Sequence, residues 1–401
     1  MEKTFVDLRE KFSEKLEKIT IESNKKCWDF YINSTAENLA EYEKSQDEYS
    51  NLFKDEKMYN DFLKIDKNCL NKHEQKQLKN LLKEFEQELN TGEDLKNLRK
   101  KENEIAQKFN SYVPKIDDKE VTKAKIVEIM QKEENVVVRQ KAYSARIAGG
   151  DLIAEDLIDF VKMRNDFARK KGFNNYFEYK LVDEYEVEPE FLENLINEVY
   201  SKTENKIKEI QTKKQKDLKD FFNVDNLKPY HYGLLLKSNP EKDVNEILQK
   251  NDIVEISKKM YENMGYDVEK LIAEKKLTLD LFPRKGKNTH GFCFDIEAGK
   301  DSRILANLTN NIVSLDTLNH EMGHCVYDLG ISTSLTFLDR TAASPAFTEA
   351  IAMMMGDICK IENTLDKIVA SDLLSRFKNT HVEDEVAFVS KSLLIIDFEK
   401  E

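Results

Sequence analysis

His320 and His324 stand four residues apart in the run His320-Glu321-Met322-Gly323-His324. On a helix, positions four apart lie on one face, about 40° from each other, so both imidazoles can reach one ion. Glu321 is turned away by roughly 100°, which sets its carboxylate beside the ion's open side instead of on it. Val313, Leu318, Met322 and Val326 form an apolar stripe that would hold such a helix against a core. Imidazole nitrogens suit zinc, which in catalytic sites takes three protein ligands and keeps a further position for water.

A third ligand lies downstream, in Ser344-Pro-Ala-Phe-Thr-Glu349-Ala-Ile-Ala-Met353. Serine is a good helix cap and proline a preferred first helical residue, so a helix is expected to start here with Glu349 in its second turn. The residues that follow, Ala350–Met355, are apolar. A carboxylate buried beside them would need a cationic partner. Two histidines and one glutamate are a zinc set used in peptide hydrolysis. The pattern implies one Zn2+ ion on His320, His324 and Glu349. Glu321 is then the general base that takes a proton from water and returns it to the leaving amine.

These groups need a rigid scaffold, and the rest of the chain reads as helices. The first glycine is Gly92 and the first proline Pro114, so residues 1–130 hold few backbone breakers. Apolar residues recur at helical spacing at Phe5, Leu8, Phe12 and Leu16, and again at Leu78, Leu81, Leu82 and Phe85. The Lys/Glu-rich runs between them read as solvated faces. Further helices are expected over about 119–222, with breaks near Gly149-Gly150, Gly172 and Pro189, and over about 241–276. Residues 277–312 change texture, and the alternation of Phe292, Phe294 and Ile296 predicts a short strand with one buried face, starting at His290. Helices return over 313–329 and 344–360. No repeat or low-complexity linker marks a domain boundary.

Composition narrows the function. The 401 residues are 35% charged and 40% hydrophobic, with only 12 Gly and 6 Pro, as in a mostly helical protein. A net charge of -13 argues against nucleic acid, which calls for a basic stripe. No apolar run is long enough to span a bilayer, and the N-terminus has no signal-peptide core. The five scattered cysteines, without a C-x-x-C pair, read as reduced thiols in a cytoplasmic protein.

Residues His290 to Met353 resemble the angiotensin-converting-enzyme family of gluzincin peptidases. The resemblance rests on HEMGH, on Gly299-Lys-Asp and on Ser-Pro-Ala-Phe-Thr-Glu-Ala-Ile. His290 also precedes His320 by the interval of the family's substrate-binding histidine. The segment Asp280-Leu-Phe-Pro-Arg-Lys-Gly-Lys287 and the gap from His324 to Glu349 are more similar to thimet-oligopeptidase-type enzymes. The chain is placed in this shared group of oligopeptidases, closest to the first.

The resemblance implies a mainly α, elongated multi-helix peptidase with a deep central channel and a small edge sheet near the zinc site. Residues 1–130 would form a helical lid and 131–401 the catalytic region, within one continuous peptidase domain. Such a channel takes short, unstructured peptides. Along it, His290, Gly291 and Phe292 would bind substrate, the strand pairing with its backbone and His290 meeting a carbonyl.

Two departures bear on this expectation. Met353 stands where the family has an acidic residue behind a zinc-bound histidine, and the next acid is Asp357. The family's oxyanion-stabilising histidine and tyrosine lie far beyond the zinc helix, and His381 is too close to Glu349 to be that histidine. The expectation from sequence is therefore a C-terminally truncated peptidase that binds zinc but is a poor enzyme unless a separately encoded chain supplies the missing segment; a split gene, a decayed gene and an incomplete record all stay open. The alternative is a catalytically incomplete homologue that serves as a peptide- or zinc-binding helical protein.

Overall fold

The computed structural model describes residues 4–340, 344–361 and 364–400. In chain order the helices are α1 (Phe5–Ile32), α2 (Ala36–Phe53), α3 (Glu56–Leu63) and α4 (Lys72–Ser111). A two-stranded hairpin, β1 (Lys115–Ile116) and β2 (Lys119–Glu120), precedes α5 (Lys123–Lys132), α6 (Val136–Asp151), α7 (Ala154–Lys170), α8 (Tyr176–Tyr179) and α9 (Pro189–Phe222). Then follow α10 (Pro240–Leu248), α11 (Ile253–Asn263) and α12 (Val268–Ala273). Next come β3 (Leu277–Asp280), β4 (Phe292–Glu297) and β5 (Asp301–Leu305). The last helices are α13 (Ile312–Gly330), α14 (Pro345–Ile361) and α15 (Ser371–Lys400). The fold is mainly α with small sheets. Among the described residues no helix is long and apolar enough to cross a membrane.

The chain divides into two compact units, neither of them a continuous stretch. The first comprises Met1–Ser111, Gly265–Asn307 and His320–Met353; the second comprises Tyr112–Met264, Leu308–Asn319 and Met354–Glu401.

In the first unit the helical spacing read from the sequence becomes a core. Phe5, Leu8, Phe12 and Leu16 of α1 meet Leu78, Leu81, Leu82 and Phe85 of α4, with Phe53 and Phe62 between them. Each such side chain, once buried, contributes about 1.5–3 kcal/mol against the cost of ordering the chain. Thr4 caps α1 in a reciprocal capping box with Asp7. One acidic residue of the Lys/Glu-rich runs is not on a solvated face: Glu88 is buried, accepts from Ser50 and pairs with Arg99 at 3.3 Å.

The sheet of this unit has the order β3-β5-β4, with β5 parallel to β3 and antiparallel to β4. Alternation along β4 sends its residues to two different neighbours. Phe292 and Phe294 pack edge-on against Tyr31, and Phe294 also against Trp28, both on α1. Ile296 is buried in the same cluster. The strand starts at Phe292 and not at His290. The His290 N–H is taken by the Asn288 side chain at 3.0 Å, and Asn288 is tied by its backbone to Tyr31 and Asn307. That turn holds His290 off the ladder.

In the second unit, Arg139 is fully buried and donates to the carbonyls of Met130, Glu133, Tyr230 and Tyr232 at 2.7–2.8 Å, joining α5, α6 and the loop after α9. Helices α9 and α15 are linked by Lys213–Glu383 at 3.3 Å and Lys214–Asp384 at 2.6 Å.

Candidate metal centre

The helix α13 begins where Asn311 accepts from the Ser314 N–H at 2.8 Å and Asn245 accepts from the Ile312 N–H at 2.8 Å. Its buried stripe is Leu315, Leu318, Met322, Cys325 and Val326. Val313, expected on that stripe, is 51% exposed. It lies two residues, and so roughly 200°, from Leu315, which takes the core-facing position instead. Asn319, one residue before His320, is fully buried; its carbonyl accepts from the Tyr261 hydroxyl and its side chain binds the Ser257 hydroxyl at 2.6 Å.

His320 and His324 follow on one face, their ring centroids 5.0 Å apart. The helix α14 starts at Pro345, with the Ser344 carbonyl accepting from Phe347 and Thr348. This places Glu349 opposite the two rings. Its Oε1 is 3.2 Å from His320 Nε2 and its Oε2 is 3.4 Å from His324 Nε2. One donor atom from each of the three lies within 4.8 Å of the other two. The Glu349 side chain is 53% exposed, so its partners are set by the two rings and not by burial beside the apolar run. Ala352 and Met355 are the residues of that run that are buried.

Glu321 points elsewhere, as its angular offset requires. It is 7% exposed and accepts from the backbone N–H of Cys293 on β4. Burial, and next the nearby charge of Glu349, push its carboxyl up to about 7, with the Cys293 bond opposing them. Burial and the neighbouring His320 hold His324 below the usual imidazole range, which keeps it neutral and able to ligate. The donor set of two imidazoles and one carboxylate on two helices fits a zinc ion.

Behind the site, the other face of β4 meets α13. Cys293 Sγ lies 2.8 Å from Cys325 Sγ and 3.8 Å from an Asp328 carboxylate oxygen. All five cysteines are free thiols, as their spacing suggested. Burial pushes Asp328 up to about 6, and burial with Asp328 pushes Asp295 to about 7. This group of Cys293, Asp295, Cys325 and Asp328 was not legible as a cluster: a strand and a helix bring it together, and no spacing announces it. Its one signal is the Cys-x-Asp alternation opposite the phenylalanines.

His290 is exposed, and its ring is 6.3 Å from Phe292. His290, Gly291 and Phe292 enter the edge strand β4, whose next residue, Cys293, holds Glu321. Asp357 does not stand in for the acidic residue that Met353 replaces. It turns to Lys360 at 3.2 Å and His381 at 3.4 Å.

The family model for peptidase family M3 matches residues 129–390, more than half of the chain and inclusive of every residue of the centre. No curated protein matches the chain.

Proposed function

The chain belongs to peptidase family M3, and we propose that it is a zinc-dependent oligopeptidase in which Glu321 is the general base. The observation that carries this reading is the approach of Glu349 to both His320 and His324, within 3.4 Å, with Glu321 buried alongside and not in the ligand set. A zinc ion held by His320, His324 and Glu349 would supply Lewis-acid activation of water and of the scissile carbonyl.

The protein's own part is to place and move protons. A carboxylate with its proton affinity raised towards neutrality is a stronger base than an exposed glutamate, yet can still give the proton up to a leaving amine. The Cys293 N–H fixes where that carboxylate sits. A non-catalytic zinc site would gain nothing from a buried carboxylate beside its ligands, because burying it has a cost. His290, Gly291 and Phe292 are assigned to the substrate backbone. This rests on their place in the turn that leads into an edge strand beginning at Phe292 and on the resemblance of residues 290–353 to the angiotensin-converting-enzyme family. Short, unstructured peptides are the substrates proposed, and the reduced thiols suit a cytoplasmic setting.

Two measurements on purified protein test the reading: zinc content, and cleavage of short peptides before and after Glu321→Gln. One zinc per centre with cleavage lost in the variant supports it. A variant that cleaves at the wild-type rate removes Glu321 from the mechanism.

A further inference from the structure

Asp357 on α14 and His381 and Glu385 on α15 come together within the second unit, well away in sequence from the HEMGH run. One donor atom from each lies within 4.8 Å of the other two. His381 Nε2 is 3.4 Å from Asp357 Oδ1, and His381 Nδ1 is 3.6 Å from Glu385 Oε1. His381 and Glu385 are four residues apart and so share one face of α15.

Two observations point to a missing ligand. First, His381 is 7% exposed, yet its Nε2 has no hydrogen-bond partner. Buried polar nitrogens are nearly always satisfied, so an orphan here calls for a group that the protein does not supply. Second, the charges do not balance. Asp316, Asp357 and Glu385 are gathered around one ammonium, Lys360, which is 3.1 Å from Asp316 and 3.2 Å from Asp357.

We propose that Asp357, His381 and Glu385 form a second divalent-metal site, separate from the catalytic centre. One imidazole with two carboxylates is a donor set for zinc or another first-row ion. The site joins the middle of α14 to α15, so its role is to fasten these two helices and not to touch substrate. Lys360 donates to Asp357 Oδ1, the oxygen that also faces His381, and is not a ligand.

The test is a titration of the chelator-stripped full chain with Zn2+, read as ions bound per chain against a competing chelator. Wild type is expected to take up two ions. Glu385→Ala, on a part-exposed side chain, and His381→Ala should each take up one and keep the ion lost in His324→Ala. Two ions in wild type and also in Glu385→Ala and His381→Ala would overturn the proposal. So would a single wild-type ion that disappears in His324→Ala. A single wild-type ion that disappears in His381→Ala and survives in His324→Ala would sustain this site and refute the catalytic reading instead.

Discussion

Oε1 of Glu349 lies 3.2 Å from Nε2 of His320, although the two residues come from different helices. The same carboxylate reaches His324 with its other oxygen. Glu349→Ala is therefore expected to keep the fold, since the side chain is half exposed, but to weaken zinc binding by at least ~10-fold. Equilibrium dialysis against a chelator should show the ion proposed for this centre retained by wild type at chelator concentrations that empty the variant.

Lys287 is a second relationship of structural weight. Its side chain is completely buried, and its ammonium donates to the Asp280 carboxylate at 2.9 Å and to the carbonyls of Asp280, Phe282 and Ala306. It knots the loop that leads to His290. Lys287→Met would take this donor from the Phe282 and Ala306 carbonyls and leave the Asp280 carboxylate to Arg284, and should cost about 1–3 kcal/mol in a denaturant unfolding curve.

Gly299, in the turn between β4 and β5, has φ of +79°, and a Cβ built there would stand 2.5 Å from the Ile331 carbonyl. Both the backbone conformation and the contact exclude a side chain. Gly299→Ala should lower stability by at least ~1–3 kcal/mol, read as a lower melting temperature, and displace β4 from α13.

Asp295 sets a pH dependence. Its ordinary value of 3.8 is raised to about 7 by burial and by Asp328. The folded state thus holds that proton more tightly than the unfolded chain. The stabilisation is complete below about pH 4 and is lost as pH rises through about 7. Asp295→Asn should flatten this fall and stabilise the protein at pH 8 by about 2–3 kcal/mol, the shift being discounted for the solvent that still reaches the group. Melting temperatures of both proteins across this range check it.

The meeting of His320, His324 and Glu349 was legible because its logic is local. Four-residue spacing on one helix and a Ser-Pro start on the next fix His320, His324 and Glu349 before any contact is known. The alternation Phe292, Phe294, Ile296 was legible for the same reason, and its true start at Phe292 was not, because the Asn288 side chain decides it. The strands β3 and β5 escaped notice: Leu277–Asp280 and Asp301–Leu305 are short and carry charges that hide their period. Nothing in the sequence marks Lys287 as buried, since only the loop folded around it makes it so. The pairing of Cys293 with Cys325, and of Asp357 with His381, comes from one element meeting another and leaves no trace in spacing.

Glu321 is proposed to do its chemistry at a metal held by His320, His324 and Glu349. The most direct measurement is the turnover of a quenched-fluorescent oligopeptide by zinc-loaded wild type and by zinc-loaded Glu321→Gln, with the metal content of both determined. Equal zinc is expected in the two proteins, with a turnover ~10²–10⁴-fold lower in the variant. Equal turnover at equal zinc would contradict it.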